Sequence, residues 1–203
     1  MMKSTSARRR APRQLRAHHT VEAILDGAIR VLKREGLNAL TTNRIAAIAG
    51  VSIGSVYQYF PDKRAIFLAL HTRHVEQIDG IVEETLTSHA SASLEKLMAA
   101  LIDALIDAHL RDPELHLLLS IEVPDRADGT KDFSTRLHGA FLLAISARAR
   151  ELKRGRSPEK LAFVATHMVE SLAHGVARGL PPGISREEAS AEILRAVLAY
   201  LRS

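Results

Sequence analysis

The sequence predicts an all-α protein of about nine helices. After Thr20, apolar residues recur at steps of three and four over most of the chain. Helix start and stop signals flank those stripes at regular intervals. No segment shows the strict alternation of a half-buried strand.

Residues 1–17 are rich in Ser, Ala, Arg and Lys, include Arg8-Arg9-Arg10 and Arg13, and carry no apolar period, so a flexible basic arm is expected. Thr20 is placed to cap a first helix whose stripe is Val21, Ile24, Leu25, Ala28 and Leu32, and Gly36 supplies its stop. Two short helices follow, at 42–49 and 52–58, separated at Gly50. Phe60-Pro61-Asp62 breaks the chain, with Asp62 set to cap a helix over 63–88.

Further stripes predict a helix over 94–111, then one opened by Asp112-Pro113-Glu114, then one over 131–153 after the turn-rich 124–129. Ser157-Pro158-Glu159 combines a cap, a first-turn proline and a first-turn acid, and opens a helix ending near Gly179. Pro181-Pro182-Gly183 turns the chain, and Ser185 with Glu188 forms a capping box for the last helix.

Composition narrows the function. The chain has 203 residues, 46% of them hydrophobic, which is enough for a sizeable core. It contains no cysteine, which excludes disulfides, thiolate metal sites and a cysteine nucleophile. No apolar run is long enough to cross a membrane, no secretory signal is recognised, and a cytoplasmic location is expected. The net charge of +5 is unevenly split: residues 1–64 hold 12 Lys and Arg against 4 Asp and Glu, and residues 65–203 hold 16 against 19. A basic head on a mildly acidic body suits a polyanionic partner. No phosphate-cradling glycine loop, nucleophile elbow or spaced metal motif is present, so neither an enzyme nor a cofactor is expected. A membrane-surface or architectural role for the arm alone is the rival reading.

The informative stretch is 41–57, which reads as helix, turn, helix. Ile45, Ala49 and Val56 are placed to bury between the two helices, Ala46 permits a close crossing, and Gly50 falls where the chain must turn sharply. This is the logic of a DNA reader whose second helix lies in the major groove of double-stranded DNA. Ser52, Gly54 and Ser55 are small enough for close approach. Ile53 offers a tip for a thymine methyl group, and Gln58 a hydrogen-bonding end for a base edge or a phosphate. The hydroxyls of Tyr57 and Tyr59 suit phosphates, Thr42 sits at a helix N-terminus favourable to phosphate, and Lys63 and Arg64 add positive charge.

The same stretch resembles the TetR family of transcriptional regulators. The family signature T-T-x-x-I-A-x-x-A-G-V-S-x-G-x-x-Y-x-Y-F-x-x-K is matched by Thr41, Thr42, Ile45, Ala46, Ala49, Gly50, Val51, Ser52, Gly54, Tyr57, Tyr59, Phe60 and Lys63. The resemblance covers residues 20–70. After the basic arm over 1–17, it implies a DNA-binding domain over 18–64 and an effector-binding and dimerisation domain over 65–203. It also implies a homodimer that represses by binding a near-palindromic operator and leaves it when a small molecule binds. Thr42, Ser52, Gly54, Tyr57, Tyr59 and Lys63 match DNA-contacting places in the family. Ile53, Ser55 and Gln58 fall at variable ones that set preference, and Arg44 is expected at a base or phosphate. The arm is expected to add minor-groove or phosphate contacts.

The resemblance implies a dimer seam on the last two helices. Leu161, Val164, Ala165, Met168, Leu172 and Val176 form one stripe there, and Val197, Leu198 and Leu201 another. Monomer core and dimer seam look alike in sequence. Phe133, Phe141, Phe163 and Met168 are candidates for an effector pocket, or plain core, and few aromatics among many Leu and Ala suggest a largely apolar effector. His71 and His74 lie three apart, and His167 and His174 seven apart, but neither pair has an evident third ligand nearby, so no metal site is expected.

Overall fold

The computed structural model describes residues 7–122, 128–152 and 155–203, with side chains left aside at 7–14, 117, 120, 121 and 128–134. Nine α-helices and two 3-10 turns account for the described residues, with no strand among them. They are α1 (Ala7–Glu35), α2 (Thr42–Ala49), α3 (Ile53–Tyr59), α4 (Lys63–Ser88), α5 (Leu94–Leu110), α6 (Pro113–Glu122), α7 (Asp128–Ser146), α8 (Pro158–Arg178) and α9 (Arg186–Arg202). None is long and apolar enough to cross a membrane.

The caps explain why most bounds follow the sequence. Thr41, Ser52, Ser93, Ser157 and Ser185 each accept a hydrogen bond from a backbone N–H of the helix they open, and at Ser185 the reciprocal bond from Glu188 completes the capping box. The Asp62 carboxylate accepts from the Ala65 N–H at 2.8 Å. The first helix departs from expectation. It begins at Ala7 rather than Thr20, so residues 7–17, which carry no apolar period, are helical. Thr20 lies inside it, its hydroxyl donating to the Arg16 carbonyl at 2.9 Å. The Ala, Arg and Gln of this stretch are good helix formers without an apolar period, which is why a stripe search passes over them. Helix α7 also stops earlier than expected, at Ser146, and a 3-10 turn over Ala149–Glu151 follows.

The chain divides into two units. The first holds residues up to His71 with Leu118–Val123, and the second holds Thr72–Leu117 with Pro124–Ser203. The boundary falls within α4, after Ile66, Phe67 and Leu70, which are all buried. The division expected at 64/65 lies in the same helix, seven residues before this boundary.

In the first unit Ile24, Ala28 and Val31 of α1, Ile45 of α2 and Val56 of α3 are buried. α1 approaches α2 closely at Gly27. A Cβ there would lie 2.9 Å from the Ala49 Cβ, 3.2 Å from its N and 3.2 Å from the Ile45 carbonyl oxygen. The contact needs a residue without a side chain.

The core of the second unit is drawn from α4, α5, α7, α8 and α9. Arg186 docks α9 on α5, with contacts of 2.8 Å to Asp103 and 2.6 Å to Asp107, and Ser190 donates to the same Asp103 at 2.7 Å. Arg148 is buried among backbone carbonyls. Its guanidinium donates to Ala92 (2.9 Å), His89 (2.9 Å), Ala90 (3.0 Å) and Ala144 (3.1 Å). The first three belong to the connector after α4, so the side chain fastens that connector to the end of α7.

Candidate nucleic-acid interface

The turn between α2 and α3 is built by Gly50, whose φ of 70° and ψ of 30° are left-handed. Its N–H and that of Val51 reach back to the carbonyls of Ala46 and Ala47, closing the helix end. Ser52 then caps α3 from the Ser55 N–H at 3.0 Å, and the two hydroxyls lie 2.8 Å apart. Val56 alone among the α3 residues is buried, and it anchors the helix. The rest of α3 is therefore free to face outward. Ser52, Ile53, Gly54, Tyr57 and Gln58 are exposed, Tyr57 by 53%, while Ser55 and Tyr59 are half-buried.

The Thr42 hydroxyl at the start of α2 and the Tyr57 hydroxyl on α3 stand 3.3 Å apart. They come from two helices yet form one paired polar group at the surface, with the spacing and exposure suited to a phosphate oxygen. Lys63 is exposed beyond them, its ammonium 5.2 Å from the centre of the Phe67 ring.

Arg44 has a partner within the chain. It is exposed but committed within the chain, where its guanidinium forms a forked pair with Glu35, with contacts of 2.7, 2.8 and 3.0 Å. The Arg44 hydrogen bond holds the Glu35 carboxyl below the usual carboxylate range, and Glu35 in turn raises Arg44. The pair ties the end of α1 to α2, so a base or phosphate contact would have to share or displace Glu35.

The residues expected at a dimer seam mostly pack inside the chain. Leu161, Ala165, Val176, Val197, Leu198 and Leu201 are buried in the core of the second unit. Val164 and Met168 are half-buried, and Leu172 is 41% exposed.

The pocket candidates whose side chains are described differ in their burial. Phe141 is fully buried core, Met168 packs against that core, and Phe163 is 56% exposed with its ring 4.4 Å from that of His167. Phe133 lies outside the described side chains. Phe163 lines a surface cavity of about 610 Å³ with His138, Arg156, Glu159, Lys160, Val164 and Tyr200.

The histidines are the feature that sequence reasoning missed. His74 has no ligand neighbour in the sequence beyond His71, but the fold brings it to His109 and His116, with a nitrogen of each within 4.8 Å of the others. The His174 ring joins them, 4.4 Å from that of His109 and 4.6 Å from that of His116. Burial pushes His116 down to about 3 and His174 to about 4. Neighbouring rings and Arg178 add to both effects. His109 is lowered by burial, against its bond to Leu105.

Comparison with known proteins agrees with this geometry. Residues 24–70 match the family model described as bacterial regulatory proteins, tetR family, and residues 93–201 match the tetracyclin repressor-like C-terminal domain. The chain is 27% identical over 188 residues to the HTH-type transcriptional repressor AcnR of Corynebacterium efficiens, covering 89% of this chain and 92% of that protein. It is 40% identical over 76 residues to the nucleoid occlusion factor SlmA of Haemophilus ducreyi, covering 37% of this chain and about a third of the relative's length (34%). Among solved structures, Thermus thermophilus FadR, a TetR-family repressor in complex with lauroyl-CoA, superposes with a TM-score of 0.64 at 20% identity, over 90% of this chain and 95% of that one.

Proposed function

The chain belongs to the tetR family of bacterial regulatory proteins, and from that premise we propose that it is a homodimeric repressor released from a near-palindromic operator by a small-molecule effector. The observation that carries the DNA-binding part is the outward face of α3. The cap, the turn and the single buried anchor leave Ile53, Gly54 and Gln58 clear of the fold, beside the Thr42–Tyr57 hydroxyl pair. In this reading Thr42, Tyr57, Tyr59 and Lys63 hold phosphates, and Ile53 and Gln58 read bases. The relative matched along most of its length is named a repressor, which favours repression over activation. The dimer face is the side of α8 that the chain leaves open, with Phe163 and Leu172 exposed and Val164 and Met168 half-buried. The effector acts from the second unit, and α4, which runs through the boundary between the units, carries the signal. A coupling of about 1–3 kcal/mol suffices to change occupancy 5–150-fold.

Selection of bound DNA from a random pool tests the reading. The expected product is an inverted repeat whose half-site centres lie roughly one helical turn apart, about 34–36 Å. Salt-sensitive binding with no enriched sequence would overturn it in favour of a non-specific role for the basic arm.

On the selected operator, Tyr57→Phe is expected to weaken binding to every sequence alike, because it removes a phosphate partner. Gln58→Ala should instead change which sequences a second selection enriches. An unchanged selection would remove Gln58 from base reading.

Gly54 separates folding from recognition. A Cβ there would meet only the Ser52 Oγ, at 3.8 Å, so the fold has room for alanine. Gly54→Ala should stabilise the first unit by up to about 1 kcal/mol through reduced chain entropy. If DNA comes as close as the small residues suggest, the same change weakens operator binding roughly tenfold, about 1.4 kcal/mol. Thermal unfolding and a gel-shift titration on one preparation read both effects.

A further inference from the structure

We propose that His74, His109, His116 and His174 form a binding site for one divalent late transition-metal ion of the zinc class inside the second unit. The rings come from four helices, α4, α5, α6 and α8, and His109 and His116 each lie beside the other three. The His109, His116 and His174 centroids are 4.4 to 4.6 Å apart, and His74 lies 5.8 Å from His116 and 6.1 Å from His109. A tetrahedral zinc with nitrogens at 2.0–2.1 Å sets those nitrogens about 3.4 Å from one another. The three that already lie within 4.8 Å have at most about 1.4 Å to close, which small side-chain rotations supply.

One ring is already set for the task. The Nδ1 of His109 lies 2.6 Å from the Leu105 carbonyl oxygen, which can only accept, so Nδ1 carries the proton. Its Nε2 is left with the lone pair a metal takes. Such an outer carbonyl partner recurs behind metal-binding histidines, where it holds the tautomer and orients the ring.

The donor set defines the ion class. Four imidazoles suit zinc, copper, nickel or iron, whereas magnesium and calcium require oxygen ligands. His116 also lines a cavity of about 440 Å³ with Pro113, Glu114, Ala177 and Arg178, which gives an entry path. Glu114 puts negative charge on the same wall, opposite in sign to Arg178. The site stands independently of the repressor reading.

The test uses the full chain, freed of metal by a chelator and titrated with Co²⁺ and then Zn²⁺. One Co²⁺ per chain is expected, with the visible absorption of a low-coordinate nitrogen site, and one equivalent of Zn²⁺ should bleach it. Zn²⁺ should also raise the melting temperature, since it binds only the folded site. The double variant His109→Asn, His116→Asn should lose the band and at least about 100-fold in affinity, no less than loss of an outer partner costs. Should that variant fail to fold, the half-buried His74→Gln must still weaken binding at least about tenfold. His167→Asn, on an exposed histidine, should change nothing. Absence of the band in the unaltered chain overturns the proposal. So does a band that survives the double variant, which would place the ion on the other histidines.

Discussion

Replacing Arg148 with methionine is expected to destabilise the second unit by about 3 kcal/mol, the upper end of the cost of leaving a buried acceptor unsatisfied. The methionine keeps much of the apolar volume but leaves the carbonyls of His89, Ala90, Ala92 and Ala144 without their donor. Hydrogen bonds to a charged group are worth about 1.5–3 kcal/mol each but are not additive. Three of these four carbonyls lie on the connector after α4, so losing the guanidinium should release that connector before the rest of the unit. Arg148→Lys should recover little, because one ammonium cannot reach the acceptors that a planar fork spans. For a chain of this size the melting transition should fall by roughly 6–12 °C. An unchanged urea midpoint in Arg148→Met would show that water satisfies these carbonyls equally well.

Gly27→Leu is expected to abolish operator binding while leaving the second unit folded. Even a single Cβ at 27 would fall 2.9 Å from the Ala49 Cβ and 3.2 Å from two backbone atoms. Neither a methyl carbon on a helix nor backbone can swing aside, so α1 and α2 must separate. Overpacking of this kind costs typically about 1–3 kcal/mol, and leucine adds three more carbons to the same gap. The α2–α3 turn rides on α2, so its placement fails with that contact. Gly27→Ala should behave as a milder version. Adding Ala49→Gly should recover part of its loss, a coupling that a double-mutant cycle reads directly. Full operator affinity in Gly27→Leu would mean that α2 does not depend on α1.

Much of the fold was legible because the chain marks its helices with caps. Lys63–Ser88, Thr42–Ala49 and Pro158–Arg178 begin and end where Asp62, Thr41 and Ser157, with their partner stops, place them. The recognition turn was legible for the same reason, since Gly50, Ser52 and Val56 act on near neighbours in sequence. The start of α1 was not, because it rests on helix propensity without an apolar stripe. Nor was the fate of the α8 and α9 stripes. Periodicity says which residues leave water, and Leu161 or Val197 does so equally against its own chain or another. The histidine cluster was least accessible. Its members sit on four helices scattered along the chain, and only tertiary packing makes them neighbours. The Arg44–Glu35 pair was equally hidden, because its two members belong to different helices.

The economy of α3 bears on how such a protein can be redirected. Its start is held by Ser52, its entry by Gly50 and its seating by Val56. Ser55 is tied to its cap, whereas Ile53 and Gln58 are exposed. A combinatorial library at those two positions would search new target sequences without spending folding stability, which makes α3 an exchangeable reading head on a fixed mount.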